Sequence, residues 1–425
     1  MQNAPYQDSV DLSLTVVGPT GKGLCPRDRN VVDVSTRMSH VAIPAIFTNE
    51  DAVGLRCVDL CFDYFRRDQF NIASYTLGRD IRPLLQSSAS VRSAAMAIGA
   101  LNASRLGNPA LLTVAYRSYQ HSMQALRQSI DVYDHSSREA VLWTSLLLGV
   151  FELLADSSGD AWPKHMLYGV SRILKTTRSV DGPSSLHRAF IEMFSILEAN
   201  RAIMYGNTTM LADAEWEPSR HLSRGDVAWC PMSEILTLVV CISTWSVGFL
   251  EHCERLGEAG GTIGEAVGQY FGLEGIELQT RLNDWYANAS QIEITHEQSR
   301  PFHFRLAMLY HQALVIYLCG QFEYYSYWNE QPRPVLSRQE ASYAVATVLD
   351  AVDDIISSRG TPGVLLLFPL RMAALHASST ECREQLSDLL NRIYWQGYVV
   401  THRVLKDVRE VWAYMDSTAG VVDIG

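Results

Sequence analysis

Residues 136–175 read SSREAVLWTSLLLGVFELLADSSGDAWPKHMLYGVSRILK, and this stretch decides the fold. Ser136 and Glu139 have the spacing of a capping box, in which each side chain takes up an orphan backbone donor at the start of a helix. Val141, Leu142, Leu146, Leu148, Val150, Phe151, Leu153 and Leu154 then place apolar groups on nearly every side. A helix apolar all round belongs inside a fold, not on its surface. One acid, Glu152, sits inside the run, and Asp156 follows it one turn later on the same face. Ser157-Ser158-Gly159-Asp160 breaks the helix, and Pro163 suits the first turn of the next. That second helix carries His165, Leu167, Gly169, Ile173 and Leu174.

Composition fits a large packed core. The chain has 425 residues, 47% hydrophobic and 19% charged, with net charge −11. Its four lysines are Lys22, Lys164, Lys175 and Lys406. Phosphate recognition needs clustered Lys and Arg, so no nucleic-acid surface is expected. No apolar run of the required length suggests a membrane span. No basic segment followed by an apolar core marks the N-terminus for secretion, so a cytoplasmic or nuclear setting is expected. The cysteines Cys25, Cys57, Cys61, Cys230, Cys241, Cys253, Cys319 and Cys382 are dispersed, most of them in helical apolar runs, as reduced buried thiols would be. Cys57 and Cys61 lie one turn apart without a second Cys or His pair beside them, which argues against zinc.

Outward from the central pair, helical periodicity repeats and strand alternation is nearly absent. Residues 1–45 read as a flexible leader, broken by Gly18, Pro19, Gly21, Gly23 and Pro26. A helix capped at Thr48 precedes helices over Val91–Leu106 and Leu111–Ile130, the first with Ala and Gly positions that allow close approach of a neighbour. Further helices are expected over His187–Tyr205, Met232–Leu256, Leu273–Ala289, Phe302–Tyr325, Ala341–Ser357, Val364–Ala377 and Glu381–Ala413. The expected architecture is all-α: residues 46–425 as a single large domain of packed antiparallel helices enclosing an apolar, aromatic-lined pocket.

The order of several weak motifs resembles the regulatory domain of fungal zinc-binuclear-cluster transcription factors across roughly residues 50–415. The motifs are Val91-Arg92 with Ala97-Ile98-Gly99-Ala100-Leu101, then Tyr116 to Leu126, then Glu152, Trp162, His165 and Gly169. Tyr310, Ala313, Ile316 and Tyr317 follow, then Pro369-Leu370, Ala373-Ala374, Arg383 and Val411-Trp412. The resemblance implies a helical regulatory domain that senses small molecules or pairs with a zinc-cluster protein. No six-cysteine zinc cluster accompanies it in this sequence.

Several residues are candidates for chemistry. Glu152, His165 and Arg201 are candidate catalytic groups: an acid in a buried helix, an imidazole able to act as acid or base, and a cation on an otherwise apolar helix. Arg201 needs a partner, with Glu152, Glu198 or an anionic ligand as the alternatives. Glu152 and Asp156 are spaced to offer oxygens to Mg2+; structural roles for both are the leading alternative, and no cofactor is expected. Asp350, Asp353 and Asp354 form a second acidic face, read as solvated. Trp162, Trp245, Trp285 and Tyr317 are candidate substrate-binding aromatics for an apolar ligand.

Two functions follow as expectations. The first is a cyclase or isomerase of fungal secondary metabolism, a pericyclase or terpene-cyclase-like catalyst working without metal on an apolar substrate. The alternative is a non-DNA-binding regulator that senses a metabolite, as a homodimer or with a zinc-cluster transcription factor.

Overall fold

The computed structural model describes residues 50–68, 81–131, 137–176, 184–213, 216, 231–259, 265–295, 302–323, 328, 331–358 and 363–422. The chain divides into two compact units, Met1–Ile46 and Phe47–Gly425. The expected leader and the caps at Thr48 and Ser136 lie outside the described residues.

Every element among the described residues is helical. The first group comprises α1 (Glu50–Asp68), α2 (Arg82–Ser87), α3 (Ala89–Arg105), α4 (Leu111–Asp131) and α5 (Arg138–Ala155). Helix α3 lies at its centre and packs on α1, α4 and α5. Its small residues allow this: a Cβ at Gly99 would fall 1.8 Å from the Cys57 carbonyl oxygen of α1. Burial pushes the Cys57 thiol up to about 11 and the fully buried Cys61 thiol higher still, so both remain protonated packing groups.

Helix α5 is buried from Val141 to Leu154 apart from Glu152, as its all-round apolar pattern predicts. Ser137 precedes the helix without a side-chain cap, and the Glu139 carboxylate accepts from the Ser184 hydroxyl. Ser184 itself caps the later helix α8 by accepting from the His187 N–H, so Glu139 ties two helix starts together.

After α5 come a short α6 (Ala161–Lys164), a π-helical turn (His165–Val170) and α7 (Ser171–Thr176). The remainder contains α8 (Ser185–Tyr205), α9 (Pro231–Ala259), α10 (Glu265–Thr295), α11 (Phe302–Glu323), α12 (Arg338–Ser357), α13 (Leu367–Leu375), α14 (Thr380–Trp395) and α15 (Thr401–Val422). Residues Pro231–Arg255 are long and apolar enough to cross a membrane by length and composition alone. In the fold α9 packs against α8, α10 and α11. Helix α12 starts with a complete capping box, Ser337 with Glu340.

The single helix expected over Glu381–Ala413 is two helices, α14 and α15. Gly397 between them adopts φ +107°, a left-handed conformation open to glycine and strained for other residues. Arg105 of α3 seals this corner by donating to the Gly397 carbonyl at 2.5 Å and to the Leu154 carbonyl at the end of α5 at 2.5 Å. At the other end of the pair, the Arg383 guanidinium lies 5.3 Å from the Trp412 ring centre. The Trp412 indole N–H donates to the Ala374 carbonyl at 2.9 Å.

Candidate functional site

The site forms where α4, α5 and the π-helical turn meet. A Cβ at Gly149 would lie 2.9 Å from Cζ3 of Trp162 and 3.1 Å from Cδ2 of His165, so the bare glycine makes a notch on α5 that takes both rings. In the π turn the Ser171 N–H bonds the Met166 carbonyl five residues back, and the Ser171 hydroxyl donates to the same oxygen at 2.9 Å. The His165 ring thus comes to lie along α5.

His165 Nε2 is 2.7 Å from the Ser145 carbonyl oxygen. A carbonyl only accepts, so Nε2 carries the proton. Nδ1 is 3.2 Å from Glu152 Oε1. Both ring nitrogens therefore face acceptor oxygens. The same Glu152 oxygen accepts from the Tyr119 phenol of α4 at 2.6 Å. Burial and this hydrogen bond hold the Tyr119 phenol well above its ordinary range, so it stays protonated and donating. The Tyr119 ring stacks on Phe151 of α5 with centres 4.7 Å apart. One carboxylate thus joins three segments.

Of the sequence candidates, Glu152, His165 and Trp162 come together. Arg201 belongs to a different cluster. Its Nε and one Nη donate to the two Glu198 oxygens at 2.8 and 2.9 Å, with both side chains fully buried. Arg201 also donates to the Thr208 carbonyl at 2.7 Å and to Asn207 Oδ1 at 3.3 Å, while the Thr209 hydroxyl donates to Glu198 at 2.8 Å. Glu198, not Glu152, is its partner.

Asp156 does not share a site with Glu152 either. Its carboxylate accepts from the backbone N–H groups of Ser158, Asp160 and Ala161 and from the Ser158 hydroxyl. Burial raises its pKa, but these hydrogen bonds outweigh that and hold the carboxyl below the ordinary range. The Asp156 carboxylate thus folds its own loop, while the Glu152 carboxylate meets Tyr119 and His165. Among the described residues no group of three or more His, Cys, Asp and Glu side chains is arranged to hold a metal ion. Asp353 and Asp354 are exposed as expected, but pair with Arg392 of α14 and Arg305 of α11.

The four aromatic candidates serve different packing interfaces. Trp162 fills the Gly149 notch. Trp245 stacks on Phe249 at 5.0 Å, beside Phe322. Trp285 stacks on His311 and donates to the Pro231 carbonyl at 3.2 Å. The Tyr317 hydroxyl bonds that of Ser246 at 2.7 Å. A concavity of about 410 Å3 lies on α4, lined by Leu112, Thr113, Tyr116, Arg117 and Gln120.

Tyr119, Gly149 and the Ser145 carbonyl complete the site and were not singled out from sequence. Tyr119 falls in the apolar stripe Tyr116, Tyr119, Met123, Leu126, which conceals its polar tip.

Residues 62–423 match the family model for the fungal specific transcription factor domain, which is nearly the whole helical region. The chain belongs to this family. No curated protein and no solved structure matches it. In this fungal transcription factor domain Tyr119, Glu152, Trp162 and His165 hold one corner of the helical core together. Both His165 nitrogens are engaged, so proton transfer to a substrate would first require breaking the bond to Ser145 or to Glu152.

Proposed function

We propose that this fungal transcription factor domain is a regulatory module that acts by binding, through a protein partner or a small apolar ligand, and not by direct contact with DNA. The observation that carries this reading is that the Tyr119 hydroxyl, both His165 ring nitrogens and Glu152 Oε1 face partners within the fold. A site built for catalysis leaves a donor or acceptor directed at the reacting atoms. Nuclear or cytoplasmic residence, and pairing with a second copy or with a zinc-cluster transcription factor, are the settings that suit such a module.

A second reading keeps the cluster as chemistry. The Glu152 and His165 side chains retain 14% and 11% exposure, which leaves an edge reachable from outside. Opening of the π turn would free an acid–base pair for metal-free cyclisation or isomerisation of an apolar secondary metabolite.

The test fuses the full chain to a heterologous DNA-binding module with a matched reporter. The regulatory reading expects transcription to differ from that of the DNA-binding module alone. It is overturned if the reporter is indifferent while the purified chain turns over polyketide or terpenoid substrates and His165→Ala abolishes that turnover.

A further inference from the structure

Residues 81–130 contain five arginines, Arg82, Arg92, Arg105, Arg117 and Arg127, and no Asp or Glu before the exposed Asp131 that ends α4, in a chain whose net charge is −11. All five are exposed, and Arg117 and Arg127 project from the outer stripe of α4. Among the described residues neither of these two is paired with a carboxylate. Apolar groups share the stripe: Leu112 is 44%, Tyr116 45% and Ile130 42% exposed. The concavity lined by Leu112, Tyr116 and Arg117 runs along the first turns of the same helix.

A second apolar group adjoins it. Arg105 donates to the Gly397 carbonyl, which brings the end of α14 to this corner. There Tyr394 is packed edge to face with Trp395, which is 81% exposed. Exposed aromatics beside arginines are the residues that anchor protein interfaces.

We propose that the outer stripe of α4, with the Arg105 corner and Trp395, is the docking surface for an acidic amphipathic segment of a partner protein. Charge complementarity selects the partner: a positive strip on an acidic protein draws in carboxylates and turns away basic surfaces. The floor of Leu112 and Tyr116 selects apolar anchors repeated at helical spacing on the partner. Nucleic acid fits less well, because Arg117 and Arg127 stand nearly three turns apart with no lysine between them, too sparse to follow a phosphate backbone. This proposal names a partner for the regulatory reading and rests on that reading for its setting. The binding itself is measured without transcription, so the two fail separately.

The experiment uses the full chain and a short labelled synthetic peptide, with Asp and Glu on one helical face and Leu and Phe on the other. Fluorescence anisotropy at about 0.15 M salt is expected to show saturable binding. The same peptide with Gln and Asn in place of its acids should bind at least about tenfold more weakly. Arg117→Glu with Arg127→Glu should cause a similar loss while circular dichroism and melting stay unchanged, since both side chains are exposed. Tyr116→Ser should also weaken binding, but it touches Phe151, so the arginine variants carry the decision. The proposal is overturned if the acidic peptide does not bind, if the neutral peptide binds equally well, or if duplex DNA binds through these arginines instead.

Discussion

Glu152 and His165 are thirteen positions apart in sequence and 3.2 Å apart in the fold, and the carboxylate oxygen that meets the imidazole also accepts the Tyr119 phenol. This one oxygen joins α4, α5 and the π turn. Glu152→Leu removes the acceptor of the partly buried Tyr119 hydroxyl and the oxygen that faces His165 Nδ1. A loss of about 2 kcal/mol is expected. Glu152→Gln keeps an acceptor for Tyr119 and should lose about half of that. Urea denaturation distinguishes the pair, and a Glu152→Leu protein as stable as the parent would show that the cluster contributes nothing.

Gly149 makes the notch, so adding one methyl group there tests it. Alanine improves helix propensity by about 1 kcal/mol. The added Cβ would stand 2.9 Å from Trp162 and 3.1 Å from His165, and both rings are held by further contacts. Overpacking of this kind costs about 1–3 kcal/mol, so Gly149→Ala should be neutral to destabilising by about 2 kcal/mol. Thermal melting checks it: a raised melting temperature would mean that the rings withdraw freely and the notch is not a constraint.

Acid sensitivity should come from groups whose protonation the fold alters. His311 is buried between Trp285 and Tyr286, and burial pushes its pKa down to about 4. As pH falls from 6.5 to about 4, the unfolded chain takes a proton that the native ring refuses, so this group loses stability across that window, up to about 3 kcal/mol. Glu192 acts in the opposite sense. Burial raises its pKa to about 7 against a lowering by Arg188, so its contribution is present below the ordinary Glu value and is lost as pH rises towards 7. His311→Phe should therefore flatten the loss of stability in acid, and Glu192→Gln should flatten its loss towards neutrality. Denaturant midpoints measured from pH 4 to 8 test both signs, and parallel curves for parent and variants would exclude these two groups as the source.

The sequence showed the fold more clearly than the site, for physical reasons. The burial of α5 is visible because its residues are apolar on all sides, and close approach at Gly99 because small residues recur along α3. The break at Gly397 is not, since a lone glycine inside a helical pattern is tolerated as often as it ends one. Glu198 was one of two acids within reach of Arg201, and its position one turn away on α8 favoured it. The contact between Glu152 and His165 depends on the Asp156 loop and on a π turn, neither of which follows from residue periodicity. Asp156 kept a ligand reading beside its structural one because a loop-folding carboxylate and a metal-binding one share the same one-turn spacing.

The fully buried pair Arg201–Glu198 gives the sharpest energetic expectation. Desolvation of two charges offsets most of their attraction, so the pair adds little net stability over apolar residues of the same shape. Removing one partner is different, because it strands the other charge among Asn207, Thr208 and Thr209. Arg201→Met should cost about 3–5 kcal/mol, and Glu198→Leu a comparable amount. The double variant, Arg201→Met with Glu198→Leu, should recover much of either loss, apart from the hydrogen bonds to Thr208 and Thr209 that it abandons. The check is a double-mutant cycle by chemical denaturation. Strongly positive coupling, with the double variant more stable than at least one single variant, is the expected result. Additive losses would mean that each charge is stabilised by the surrounding loop independently of the other. Because this cluster is separate from His165, no single variant in it should alter the Tyr119–Glu152–His165 contacts, which the Nε2–H resonance of His165 would report.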